Sequence, residues 1–112
     1  MVKVTFWQNE SLGLIGLTVK GHAGFAPRGE DIVCAAVSAL AQTAVLGLEQ
    51  QLGLTLDVQI GDGKLECILP IGLNVFTLER AQIVLKTIAV GLEAIAETHR
   101  DHVKVEYKIR HR

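Results

Sequence analysis

An α+β domain, with two helices packed on one face of a mostly antiparallel or mixed five-stranded sheet, is the fold this 112-residue sequence predicts. Three observations lead there. Apolar residues recur at helical spacing in two long stretches, 31–52 and 74–98. Five shorter stretches are rich in β-branched residues or alternate apolar with polar. Along the chain these fall as strand, strand, helix, strand, strand, helix, strand, with no linker or repeat between them, and the length suits one domain over residues 1–112.

VKVTFWQ and LGLIGLTVKGH flank the polar step Asn9-Glu10-Ser11 and read as a first hairpin, which leaves His22 at a strand exit. From Asp31 to Leu52, the residues Val33, Val37, Leu40, Ala44, Val45, Leu48 and Leu52 mark the first helix, and Gly53 is placed to end it. LTLDVQI and KLECILPI surround Gly61-Asp62-Gly63, a turn whose residues tolerate positive φ, so a second hairpin follows and Pro70 stops it. Asn74 can cap a second helix whose stripe of Val75, Leu78, Leu85, Ile88, Leu92 and Ile95 runs to about Thr98. HVKVEYKIR alternates strictly and closes the sheet. Both helices are more apolar than one packing face requires, the second through Ile83, Val84 and Val90, and a two-fold dimer with the helices between two outer sheets would cover the excess.

Composition narrows the function. Eleven basic against twelve acidic side chains leave a net charge of −1, which gives no electrostatic reason to expect direct nucleic-acid or membrane binding. The amino terminus lacks the pattern of a signal peptide and no stretch is read as a lipid-spanning run, so a cytoplasmic protein is expected, with both cysteines as thiols. Cys34, Cys67, His22 and His99 show none of the paired close spacings of a zinc site, and no cofactor motif is present; G-x-x-x-x-G-K-[ST] and G-x-G-x-x-G are both missing.

Chemistry concentrates in GHAGFAPRGEDIVCAAVSAL, residues 21–40. Cys34 falls in the first turn of its helix, where unpaired N–H groups and the helix dipole favour the thiolate, the form that attacks a carbonyl carbon. The intervening loop can fold back to bring His22 beside it as general base and then general acid. Ser38 and Gln42 follow Cys34 at successive turns on the same face and suggest the wall of a cleft. Asp31 is most simply a helix-start residue, and Phe25, Ala26 and Pro27 form an apolar part of the loop suited to covering a hydrophobic peptide. Cys67, alternating with Leu65 and Leu69, reads as a core strand residue. His99, His102 and His111 fall at a helix end or around the last strand, where solvent or the helix carboxyl end accounts for them.

Gly21-His22, then Gly29, then Asp31-Ile32-Val33-Cys34-Ala35-Ala36-Val37-Ser38-Ala39-Leu40 resemble the signature of the bacterial ribosomal-processing cysteine proteases, and the order of elements matches along nearly the whole chain. The resemblance implies a cytoplasmic, homodimeric endopeptidase that removes a short amino-terminal extension, aromatic just before the cut, from a large-subunit ribosomal protein. It implies Cys34 as nucleophile, His22 as base and a mobile loop from Ala23 to Val33, with Gly21 and Asp31 in supporting places. The competing reading is a noncatalytic, dimeric ribosome-associated assembly or binding module in which Cys34 merely packs.

Overall fold

The computed structural model describes residues 1–27 and 30–112. Its strands are β1 (Val2–Asn9), β2 (Gly13–Lys20), β3 (Asp57–Gly61), β4 (Lys64–Ile68) and β5 (Val103–Ile109), and its helices α1 (Ile32–Leu52) and α2 (Val75–Thr98). The element order is the predicted one, and the sheet is mixed. Its strands lie in the order β3-β4-β2-β1-β5, with antiparallel pairs throughout except β1 and β5, which run parallel.

Local chemistry explains the boundaries. The Asn9 side chain accepts from the N–H groups of Ser11 and Leu12, closing the first turn. A register shift between Trp7 and Gln8 leaves Ile15 of β2, next to Leu14, as the extra residue of a bulge. The Gln82 amide of α2 satisfies the backbone there, accepting from Leu14 N–H and donating to Leu14 C=O, both at 2.7 Å. Asp31 and Asn74 cap α1 and α2, and Gly53 ends α1 in the left-handed conformation at φ 65°. β3 begins at Asp57, later than predicted, because Leu54 still donates to the Leu48 carbonyl of the helix end. β4 stops at Ile68, since Leu69 N–H turns to Ile15 C=O and Pro70 has no N–H to give.

The core lies between the sheet and the helices. Val4, Phe6, Leu17 and Cys67 of the inner sheet face are fully buried with Val37, Leu48, Leu85 and Leu92 of the helices. Truncating Leu85 or Leu92 to Ala would cost about 2–5 kcal/mol. The helices approach closely at Gly91, where a Cβ would lie 3.1 Å from Leu40 Cδ1. α1 is long and apolar enough by composition to cross a membrane, contrary to the expectation that no run would qualify. Its alanines raise the hydropathy all round the helix, but Val33, Val37, Ala41, Ala44, Val45 and Leu48 are buried within the domain, as in the core helix of a globular protein.

Candidate active site

Three separate segments build the site. β2 ends at Lys20, and Gly21 turns the chain at φ 91°, where a side chain would strain the backbone and strike the Met1 carbonyl at 2.5 Å. Gly21 N–H donates to Gly63 C=O at 2.8 Å, docking the strand exit on the β3–β4 turn. His22 therefore stands against that turn, its ring so near Gly63 that a Cβ there would lie 3.0 Å from Nε2. The same turn brings Asp62 Oδ1 to 3.8 Å from His22 Nε2, a counter-charge for an imidazolium.

Cys34 is carried by the first turn of α1 and is half-buried. Asp31 binds the Cys34 N–H through Oδ1 at 2.8 Å, while its Oδ2 accepts from the N–H groups of Phe25 at 3.0 Å and Ala26 at 3.5 Å. One carboxylate thus caps the helix and ties the loop to the turn that carries Cys34. These N–H bonds, that from Cys34 first, hold the Asp31 carboxyl below its ordinary 3.8. Because the folded state binds this proton less readily than the unfolded one, Asp31 stabilises the fold above its unfolded pKa. That contribution is lost as pH falls through the folded value, below 3.8. Asp31→Ala should lower the melting temperature at neutral pH and speed amide exchange at Phe25 and Cys34, and the difference from wild type should shrink as the pH drops below 3.8.

His22, Cys34 and Ser38 share two adjoining clefts. One, of about 180 Å³, runs over Val2, Val19 and Val37 to the turn at Gly61 and Gly63. The other, of about 420 Å³, lies beneath Gly24 and Ala26. Ser38 lines both, as the helical stripe predicts, and accepts a hydrogen bond from Gln42. A thiol and an imidazole facing one water-accessible space can perform nucleophilic acyl transfer, with the floor of the first cleft to hold an apolar side chain.

The remaining sequence candidates divide. Helix α1 starts at Ile32, so the loop predicted to run to Val33 ends at its cap, Asp31. Gly29 and Arg28, part of that loop, lie outside the described residues. Phe25 does not line either cleft; its ring meets His99 and His102 edge-on, with centroids 5.7 and 5.4 Å away. His102 Nδ1 also lies 3.0 Å from the Ala23 carbonyl. The α2–β5 turn therefore anchors the residue next to His22. Sequence reasoning missed His102, Asp62 and Gly63. Only the Gly-Asp-Gly turn left a local signal, and it read as a hairpin turn alone. Cys67 is fully buried, and burial, with Glu49 and Asp57 adding to it, pushes its thiol up to about 12.

A helix-start thiol and a strand-exit imidazole on a common cleft are the parts that the class of cysteine hydrolases uses. The profile of the cysteine protease Prp family matches residues 1–104, and the chain belongs to that family. Ribosomal processing cysteine protease Prp of Bacillus subtilis is 29% identical over 111 residues, covering 97% of this chain and 99% of its own. The Mycoplasma genitalium protein of the same name is 30% identical over 105 residues, 94% of each chain. The crystal structure of the Prp protease from S. aureus with a covalently linked product peptide superposes with a TM-score of 0.85 at 26% identity, covering 96% of this chain and all of the other. The same enzyme with a substrate peptide gives 0.79 at 25% identity over the same shares. The fold and the protease class implied by the residue signature are thereby shown.

One consequence concerns the turn against His22. Gly63→Ala adds a Cβ at 3.0 Å from His22 Nε2, at a φ of 64° that an L-residue resists. Steady-state kinetics should show kcat lowered about 10-fold or more by displacement of the imidazole, at a folding cost of only about 1 kcal/mol.

Proposed function

We propose that Cys34 and His22 form the catalytic dyad of an endopeptidase that removes the short amino-terminal extension of a large-subunit ribosomal protein. The observation that carries this reading is the pair of clefts that both residues share. The Cys34 thiolate attacks the scissile carbonyl carbon, and His22, having taken the thiol proton, gives it to the departing amine of the mature ribosomal protein. The leader remains as a thioester on Cys34. His22 then draws a proton from water, and the hydroxide displaces the leader and restores the thiolate. Asp62 steadies the imidazolium in both halves of the cycle. The Cys34 N–H is engaged by Asp31, so an oxyanion hole that uses it requires this cap to yield. Ser38 on the wall of both clefts contacts the peptide, whereas Phe25 packs against His99 and His102 outside them.

The enzyme is proposed to act in the cytoplasm, where its two free thiols suit the reducing environment, and as a homodimer. Ile83 and Val90 of α2 and Leu46 of α1 are exposed on the helical layer, an apolar excess that a second copy would cover. Light scattering at micromolar concentration should give twice the 12.1 kDa chain mass, and Ile83→Glu should return the monomer. Incubating purified protein with a peptide spanning the extension and the mature start of the organism's own ribosomal protein tests the activity. Two fragments are expected from the wild type, whereas tight binding without cleavage would favour the noncatalytic assembly module.

A further inference from the structure

The near-neutral total charge of −1 conceals a strong segregation by face. Register places Lys64, Lys20, Lys3 and Lys104 side by side across β4, β2, β1 and β5, one lysine per strand. They stand on the outer face, since Val2 and Val4, which flank Lys3, point into the core. At about 4.8 Å between strands, the row is roughly 14 Å long. Lys108 and Arg110 add two further cations along β5 and just beyond its end. Among the described strand residues, three carboxylates share the face. Glu106 sits among Lys3, Lys104 and Lys108 at 3.9, 3.9 and 3.4 Å, Glu66 accepts from Thr18 and pairs with Arg110, and Asp57 occupies the far strand. Three positive charges are left in excess.

Like charges directly opposite one another destabilise a sheet; Glu106 offsets this at the Lys3 and Lys104 end of the row, and an anion laid along the whole row would relieve the rest. A partner that offsets several lysines at once carries regularly repeated negative charge. We infer that the outer sheet face binds RNA, with the phosphates of one strand laid along the lysine row. Between the lysine row and Trp7 lie Thr5, Thr18, Glu66 and Glu106, which give a lipid bilayer nothing apolar to insert. Trp7, held by a 2.8 Å hydrogen bond from its indole N–H to Thr18, stacks under the Arg110 guanidinium at 5.4 Å. This planar pair at the far end of the face suits a nucleobase and has no counterpart in an acidic peptide. Lys3, Thr5, Trp7, Thr18, Lys20 and Lys108 enclose a concavity of about 200 Å³ between row and stack. The surface is separate from the helical layer, and the inference does not depend on the protease reading.

The test is fluorescence anisotropy with a labelled 20-nucleotide single-stranded RNA of mixed sequence, titrated with the full-length chain at 50 mM KCl and upward. Binding should weaken with salt with a log–log slope of about −3, four phosphates at roughly 0.7 each. The triple variant Lys3→Gln, Lys20→Gln, Lys104→Gln should bind at least 10-fold more weakly and lose about 2 units of that slope. A control variant, Arg80→Gln with Lys86→Gln, removes exposed cations of α2 and should bind like wild type. Circular dichroism establishes that each variant is folded. The inference is overturned by absence of RNA binding at 50 mM KCl, or by unchanged affinity in the folded triple variant. Tighter binding to phosphatidylserine vesicles or to a polyglutamate peptide than to RNA also overturns it.

Discussion

Cys34→Ala is expected to lose peptide cleavage by at least 10³-fold, together with all labelling by thiol-directed peptide inhibitors at the active site. Nothing in the fold should suffer, because Cys34 lies half-exposed at the helix start and its backbone N–H keeps the bond to Asp31 whatever the side chain. Cys67→Ala should do the reverse. That thiol is fully buried on the inner sheet face, and burial holds it protonated up to about 12, so it contributes packing and no chemistry. Activity per folded molecule should persist with about 1–2 kcal/mol less stability, read from urea unfolding. Equal loss of cleavage in the two variants would remove the distinction on which the site rests.

The second large effect belongs to His22. Its ring is exposed beside Asp62 and packs against Gly63 without entering the core, so His22→Ala should lower kcat about 10²–10⁴-fold and leave the melting temperature within a few degrees of wild type. Asp62→Asn removes the counter-charge and keeps the shape, and the smaller loss expected of it should fall on kcat with little change in KM. A His22→Ala enzyme that cut at a comparable rate would exclude this residue as the base, and His102, which reaches Ala23 and stands against Phe25, would be the next to try.

Much of this architecture was legible because its signals are local. Helical spacing, Asp31 and Asn74 as caps and Gly53 as terminator placed both helices to within a residue. Strand ends were read less well: Leu54 to Leu56 look like strand by composition, yet Leu54 finishes the α1 cap through Leu48. Cys34 and His22 stood out as candidates for the same local reason, a cysteine at a helix start and a histidine after a strand. What surrounds them did not. The bond from His102 to Ala23 joins positions 79 apart, and the approach of Gly63 to His22 depends on β4 pairing with β2. The lysine row was hidden for a related reason. Alternation along one strand marks a polar face, but only the register across four strands puts Lys64, Lys20, Lys3 and Lys104 next to one another.

The most direct test of the central claim is the covalent state of Cys34 during a single turnover. Enzyme in excess over the leader-containing peptide is quenched in acid at short times and followed by intact-mass and fragment mass spectrometry. A thioester is predicted, with the leader as acyl group on Cys34, forming as the mature peptide is released and decaying to free leader; in His22→Ala protein it should not accumulate. An adduct on Cys67, or release of both fragments by the Cys34→Ala protein at the wild-type rate, would contradict the account.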